Sequence, residues 1–156
     1  MRSLLELMDV HASLEEALAV HRDLVVGLEF AKAAIALDVF ERELAAHMTA
    51  EEKHVLPLYV ERVGHVLGGD PEFFYAEHKN LLRNLAELKA RIGALAADPS
   101  AGRRQAHEFL AAEHLFMQIL DHHDRRERNT LYPELDRRLT AAERDELLRL
   151  MLTPPA

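Results

Sequence analysis

The sequence contains no cysteine. That excludes disulfides, thiolate metal ligands, iron–sulfur clusters and cysteine nucleophiles. It is also poor in chain breakers, with six Gly and six Pro in 156 residues. Ala, Leu, Glu and Arg dominate, a mixture that favours helix almost throughout. No stretch sustains the period-2 alternation of a strand, so none is expected. No apolar run approaches the length of a membrane span. Acids at Glu6 and Asp9 interrupt the first residues, unlike a signal peptide. Basic surface is scarce as well: 19 Lys and Arg face 27 Asp and Glu, for a formal charge of −8. The densest basic cluster, Arg125, Arg126 and Arg128, is interrupted by Glu127. Neither nucleic acid nor a membrane is an expected partner. The chain reads as soluble and cytoplasmic.

What is abundant is apolar surface and histidine. Apolar residues make up 49 % of the chain, enough for one domain with a real core, taken as residues 1–156. Ten histidines without cysteine direct attention to imidazole and carboxylate chemistry.

The apolar spacing predicts helices over 3–26, 29–63, 71–95 and 102–138. Gly27 marks the end of the first. Gly64, Gly68 and Gly69 end the second, and Asp70-Pro71 opens the third as N-cap and first helical residue. Thr140 and Glu143 have capping-box spacing and open a short fifth helix over 141–152. Pro57 and Pro133 fall inside helices whose periodicity continues past them, so kinks are expected there. The expected fold is all-α, an up-down-up-down antiparallel four-helix bundle with a short fifth C-terminal helix.

Three His-x-x-x-acid pairs occur, at His11/Glu15, His47/Glu51 and His123/Glu127. Such a pair can face one metal, the two residues being about 6 Å apart along the helix axis. In a chain this rich in both residue types, chance alone supplies some. The flanks are more specific. His47-x-x-x-Glu51-x-x-x-Val55-Leu56-Pro57 is repeated as His123-x-x-x-Glu127-x-x-x-Leu131-Tyr132-Pro133. Helices 1 and 3 share another pattern, His11-x-x-Leu14-x-x-x-Leu18 and His78-x-x-Leu81-x-x-x-Leu85. The chain therefore consists of two helix pairs of one design. Antiparallel packing about a turn near residue 29 brings His11 to the height of His47 and Glu51. His21 lies on the same stripe and competes with His11, although it sits about 15 Å further along the helix.

Four imidazoles and two carboxylates at one buried level cost several kcal/mol without partners. A pair of metal ions would neutralise them, and all-N/O ligation suits Fe, Mn or Zn. Leu44, Phe74, Leu82, Phe116 and Leu120 are expected to wall the site. Tyr132 could hydrogen-bond near the site, although a large helix residue before Pro133 is more often plain packing. Glu15 and Glu52 read as helix-face charges, His54 as a solvent or supporting group, and His122 as a surface or interface residue. His65, His107 and His114 read as structural or exposed. The alternative for the whole set is a metal-free helical interaction module with satisfied core histidines.

These motifs, with Glu77-His78, resemble the hemerythrin HHE cation-binding family over roughly 3–138. The resemblance implies a four-helix bundle with an oxo- or hydroxo-bridged pair of Fe ions, Zn or Mn being alternatives. By motif match the ligands would be His11, His47, Glu51, His78, His123 and Glu127. Oxygen-carrying members have a second His on the third helix, where this chain has Phe74 and Leu82. Their last helix has His and then Asp five residues on, where this chain has His123 and then Glu127 four residues on. The likeness is closer to members that sense oxygen or nitric oxide, or that repair iron centres. The repair members carry a cysteine-bearing segment, and their activity is not carried over. The implied partner is a small diatomic or peroxide ligand, with a di-metal oxidoreductase as the alternative and a homodimer left open.

Overall fold

The computed structural model describes residues 2–154, which are helical throughout their regular parts, with no strand among them. Ser3 and Glu6 form a capping box that opens a single 3-10 turn, Leu4–Leu7. It runs into α1, Met8–Val26, and then α2, Phe30–Ala50. α2 continues through a π turn, Glu51–Val55, into α3, Leu56–Arg62. After a glycine-containing loop come α4, Pro71–Ala97, and α5, Arg103–Arg126. A second π turn, Glu127–Leu131, leads to α6, Tyr132–Asp136, and the chain closes with α7, Ala141–Leu152. The expected caps are present: Asp70 accepts from the Glu72 N–H, and Thr140 and Glu143 cap α7 reciprocally.

Of two local expectations, the end at Gly27 holds and the proline kinks need correction. Gly27 does cap α1, but the left-handed residue is the next one, Leu28, with φ of 60°. The kinks expected at Pro57 and Pro133 are π turns that start at Glu51 and Glu127. The Leu56 and Tyr132 amides reach back five residues, to the Glu51 and Glu127 carbonyls. Proline follows each turn as the second residue of the next helix, where its missing N–H is tolerated. The wider turn absorbs the strain a proline ring would place on a regular helix.

α1 packs on α2, α2 on α4, α4 on α5, and α5 back on α1. α7 lies against the Leu4–Leu7 turn and the first π turn. The apolar interior divides into two clusters. One, with Leu18, Leu37, Phe40, Leu85, Phe109 and Phe116, fills the ring of long helices. The other, with Leu4, Tyr59, Phe74, Leu131, Tyr132 and Leu148, lies towards α7. Where the clusters meet, buried polar residues appear, on α2 as His47 beside Met48 of the first cluster. His11 stands between Leu7 and Leu14, His78 between Phe74 and Leu81, and His123 with Glu127 between Leu120 and Leu131. A polar layer therefore crosses the interior between two apolar ones.

Candidate metal centre

α1 contributes His11 to this layer, α2 His47, α4 His78 and α5 His123. Glu51 and Glu127 are the first residues of the two π turns. None of the six is more than 8 % exposed, and both glutamates are at 1 % or less. The imidazoles form two edge-on pairs. His11 Nε2 and His47 Nε2 are 3.0 Å apart, and the rings of His78 and His123 lie 4.9 Å apart. Each glutamate reaches one histidine of each pair. Glu51 Oε1 is 3.1 Å from His47 Nε2 and 3.7 Å from His78 Nε2. Glu127 Oε1 is 3.2 Å from His11 Nε2 and 3.3 Å from His123 Nε2. All four Nε2 atoms thus face the carboxylates.

Behind the rings stand further carboxylates. His123 Nδ1 donates to Glu77 Oε1 at 3.1 Å, and Arg126 holds the other Glu77 oxygen. His11 Nδ1 has Asp124 Oδ1 at 3.1 Å, and His78 Nδ1 has Glu52 Oε1 at 3.6 Å. Such partners orient an imidazole and raise its basicity towards a metal on the opposite nitrogen. The Tyr132 hydroxyl, fully buried, donates to Glu51 Oε2 at 2.9 Å.

The protonation pattern is that of crowded, under-neutralised groups. Burial opposes a charge on His11, but Asp124 and Glu127 outweigh it and hold its pKa up to about 10. His123 behaves likewise, opposed by burial and raised by Glu127 and Glu77. Burial wins at His78, which is pushed down to about 4. Burial works against ionising Glu127, yet His123 and its other neighbours keep it well below the usual carboxylate range. Even so, six atoms of the layer lack an aligned hydrogen-bond partner: His11 Nδ1, both His78 nitrogens, Glu51 Oε1 and both Glu127 oxygens. Orphaned polar atoms at this depth are rare and costly. A cation among the Nε2 atoms would satisfy four of them, His78 Nε2, Glu51 Oε1 and both Glu127 oxygens, while His11 Nδ1 and His78 Nδ1 face Asp124 and Glu52 on the far side of their rings. Donor atoms of His11, His47 and Glu127 lie within 4.8 Å of one another, as do those of Glu51, His78, His123 and Glu127. Imidazole and carboxylate donors without thiolate suit Fe, Mn or Zn, so the residues present fit a metal group.

The profile of the hemerythrin HHE cation binding domain matches residues 3–135. The chain belongs to the hemerythrin HHE family. The likeness covers every residue of the polar layer and stops just before the loop to α7. No curated protein and no solved structure matches the chain.

In this hemerythrin-like chain all six predicted residues are brought together. His21 is elsewhere: it binds the Ala33 carbonyl and Glu113, away from the polar layer. His122 is on the surface as expected, and so are His65, His107 and His114. The supporting groups were harder to read. Tyr132 is not plain packing, since its hydroxyl holds Glu51. Glu52 is more than a helix-face charge, because it stands behind His78. Asp124 and Glu77 carried only one sequence signal, their position next to His123 and His78.

Proposed function

We propose that the chain is one domain, an up-down-up-down antiparallel four-helix bundle, that holds two iron ions. It uses them to bind or sense oxygen, nitric oxide or a peroxide. The observation that carries this reading is the spanning of two histidine pairs by two glutamates. His11 and His47 would hold one ion and His78 and His123 the second, and Glu51 and Glu127, each within reach of one histidine of each pair, would serve both. Di-metal carboxylate bundles place one or two ligands on each helix in the same way. The contact pairs support the helix directions. His11 meets His47 while His21 meets Ala33, so numbers rise on α1 as they fall on α2. Lys89 meets Glu41 while His78 meets Glu51, and His21 meets Glu113 while His11 meets Glu127.

Bound iron would supply redox change and an open position for the small ligand. The chain's own residues hold and insulate it. Glu77, Asp124 and Glu52 fix the ring orientations, and the apolar layers above and below restrict water, which tunes redox potential. Of the expected walls, Leu44, Phe74, Phe116 and Leu120 are buried and Leu82 is partly so. A cavity of about 590 Å³ between α1 and α5, floored by Leu18, Met117 and Leu120, opens on Asp124 behind His11.

The test is metal content with an optical spectrum, on protein expressed with iron and purified without chelator. About two irons per chain are expected, as in other di-iron bundles. His47→Ala and Glu127→Ala should each lose most of that iron. Wild-type-like loading in both variants rules out this ligand set. A folded protein that stays metal-free after anaerobic Fe(II) addition leaves the helical interaction module as the better account. Azide, oxygen and nitric oxide titrations then separate the candidate ligands.

A further inference from the structure

The two halves of the centre are built from one motif used twice. His47 corresponds to His123, Glu51 to Glu127, Val55 to Leu131 and Pro57 to Pro133. Both glutamates open a π turn, and both turns close with the same five-residue amide bond. The repeat breaks at the residue before proline, which is Leu56 in the first copy and Tyr132 in the second. Both side chains are fully buried. Only one has a hydroxyl, and it crosses the layer to the glutamate of the other copy, Glu51.

The outcome is visible in the orphaned atoms. Glu51 has one unpaired oxygen, Oε1, because Tyr132 occupies Oε2. Glu127 has two, and no tyrosine hydroxyl reaches it. A carboxylate oxygen that accepts a hydrogen bond has less electron density to give a cation. The free Glu51 oxygen is also off-centre, 3.1 Å from His47 Nε2 against 3.7 Å from His78 Nε2. We infer that Tyr132 is a positioning residue that makes the two ion positions unlike: it confines Glu51 to one metal-facing oxygen while Glu127 offers both. This rests on the two-ion reading above. A near-symmetric sequence repeat would then hold a pair of ions with different affinities, which can be filled and emptied one at a time.

The experiment is an anaerobic cobalt(II) titration, followed by d–d absorption and by competition with a chelator. It compares wild type with Tyr132→Phe and Tyr132→Leu. Wild type is expected to take two ions in two resolved steps. Tyr132→Phe keeps the ring and removes only the hydroxyl. It should still take both ions, with the spacing between the two affinities reduced about tenfold and the d–d spectrum changed. If the ring merely fills space, Tyr132→Phe will match wild type and only Tyr132→Leu will shift, which overturns the proposal. Two ions entering wild type in one unresolved step also overturn it. A wild type that binds fewer than two ions instead defeats the two-ion reading, and this inference falls with it.

Discussion

The interior contains two buried polar centres, and α1 and α5 contribute to both. In one, His21 Nδ1 lies 2.8 Å from the Ala33 carbonyl, His21 Nε2 lies 2.6 Å from Glu113 Oε2, and Arg22 donates to Glu113 Oε1 at 2.9 Å. The carbonyl can only accept, so Nδ1 carries a proton. No side-chain atom of His21 or Glu113 is left without a partner. The other centre has the same chemistry, imidazoles against carboxylates at equal depth, yet leaves six atoms unpaired. Depth alone therefore does not mark a metal site. What separates the two is whether the protein supplies the last partner itself.

The sharpest way to break this comparison is one substitution made in both places. Glu113→Gln removes the charge from a satisfied cluster and leaves His21 fully buried opposite a neutral group. It should cost about 3 kcal/mol or more in unfolding free energy, with metal content unchanged. Glu127→Gln should abolish most metal binding. In wild type, stripping the metal should lower stability by about 4 kcal/mol when the ion had been present at a thousandfold over its dissociation constant. That difference should persist in Glu113→Gln and almost vanish in Glu127→Gln. Urea unfolding of loaded and chelated samples measures all three. A metal-dependent stability that disappears in Glu113→Gln would mean the two centres are one coupled network.

Proton release comes next in size. In the metal-free protein the His11 pKa is raised to about 10, so its favourable contribution is complete below the unfolded value, near 6.5. It is lost as pH rises through about 10. His78 has the opposite sign. Its pKa is lowered to about 4, so its contribution is present above the unfolded value and lost as pH falls through about 4. Metal-free stability should therefore peak between these limits. A cation needs the lone pairs of His11 and His123, both held protonated at neutral pH, so binding near pH 7.5 should expel on the order of two protons per chain. A pH dye in weak buffer reads this directly. Glu113→Gln should release the same number, because the His21 centre takes no part.

How far this contrast could be read in the sequence depends on where each partner sits. The doubled His-x-x-x-Glu motif with its trailing proline exposed four of the six central residues, and the His78 flank matched that of His11. His11 and His21 looked alike because both lie on the buried stripe of one helix. What distinguishes them is Glu113, 92 residues away in sequence from His21, and no local pattern announces it. Tyr132, inside the second copy of the motif, could be placed near the site, but its acceptor could not be read, Glu51 being 81 residues distant. The prolines correctly signalled an irregularity. The π turns themselves depend on backbone carbonyls and packing around Glu51 and Glu127, which residue type does not encode. The helices were the legible part, since apolar spacing and caps are local properties.

The smallest effects should come from the cavity between α1 and α5, whose walls include one residue tied to each centre, Arg22 and Asp124. Arg22 binds Glu113 while a quarter of its side chain remains exposed. Removing it by Arg22→Ala opens Glu113 Oε1 towards a space water can fill. The cost should therefore be about 1 kcal/mol of stability, well below that of Glu113→Gln, with metal affinity unchanged. Asp124→Asn should act mainly on the other centre. It preserves volume but removes the charge facing His11 Nδ1, so metal affinity should fall about tenfold, and metal-free stability should fall as well at pH values where His11 is charged. Chelator competition and urea unfolding on the two variants test the division. If each variant shifted both quantities equally, the cavity wall would act as one unit and the two centres could not be treated as independent.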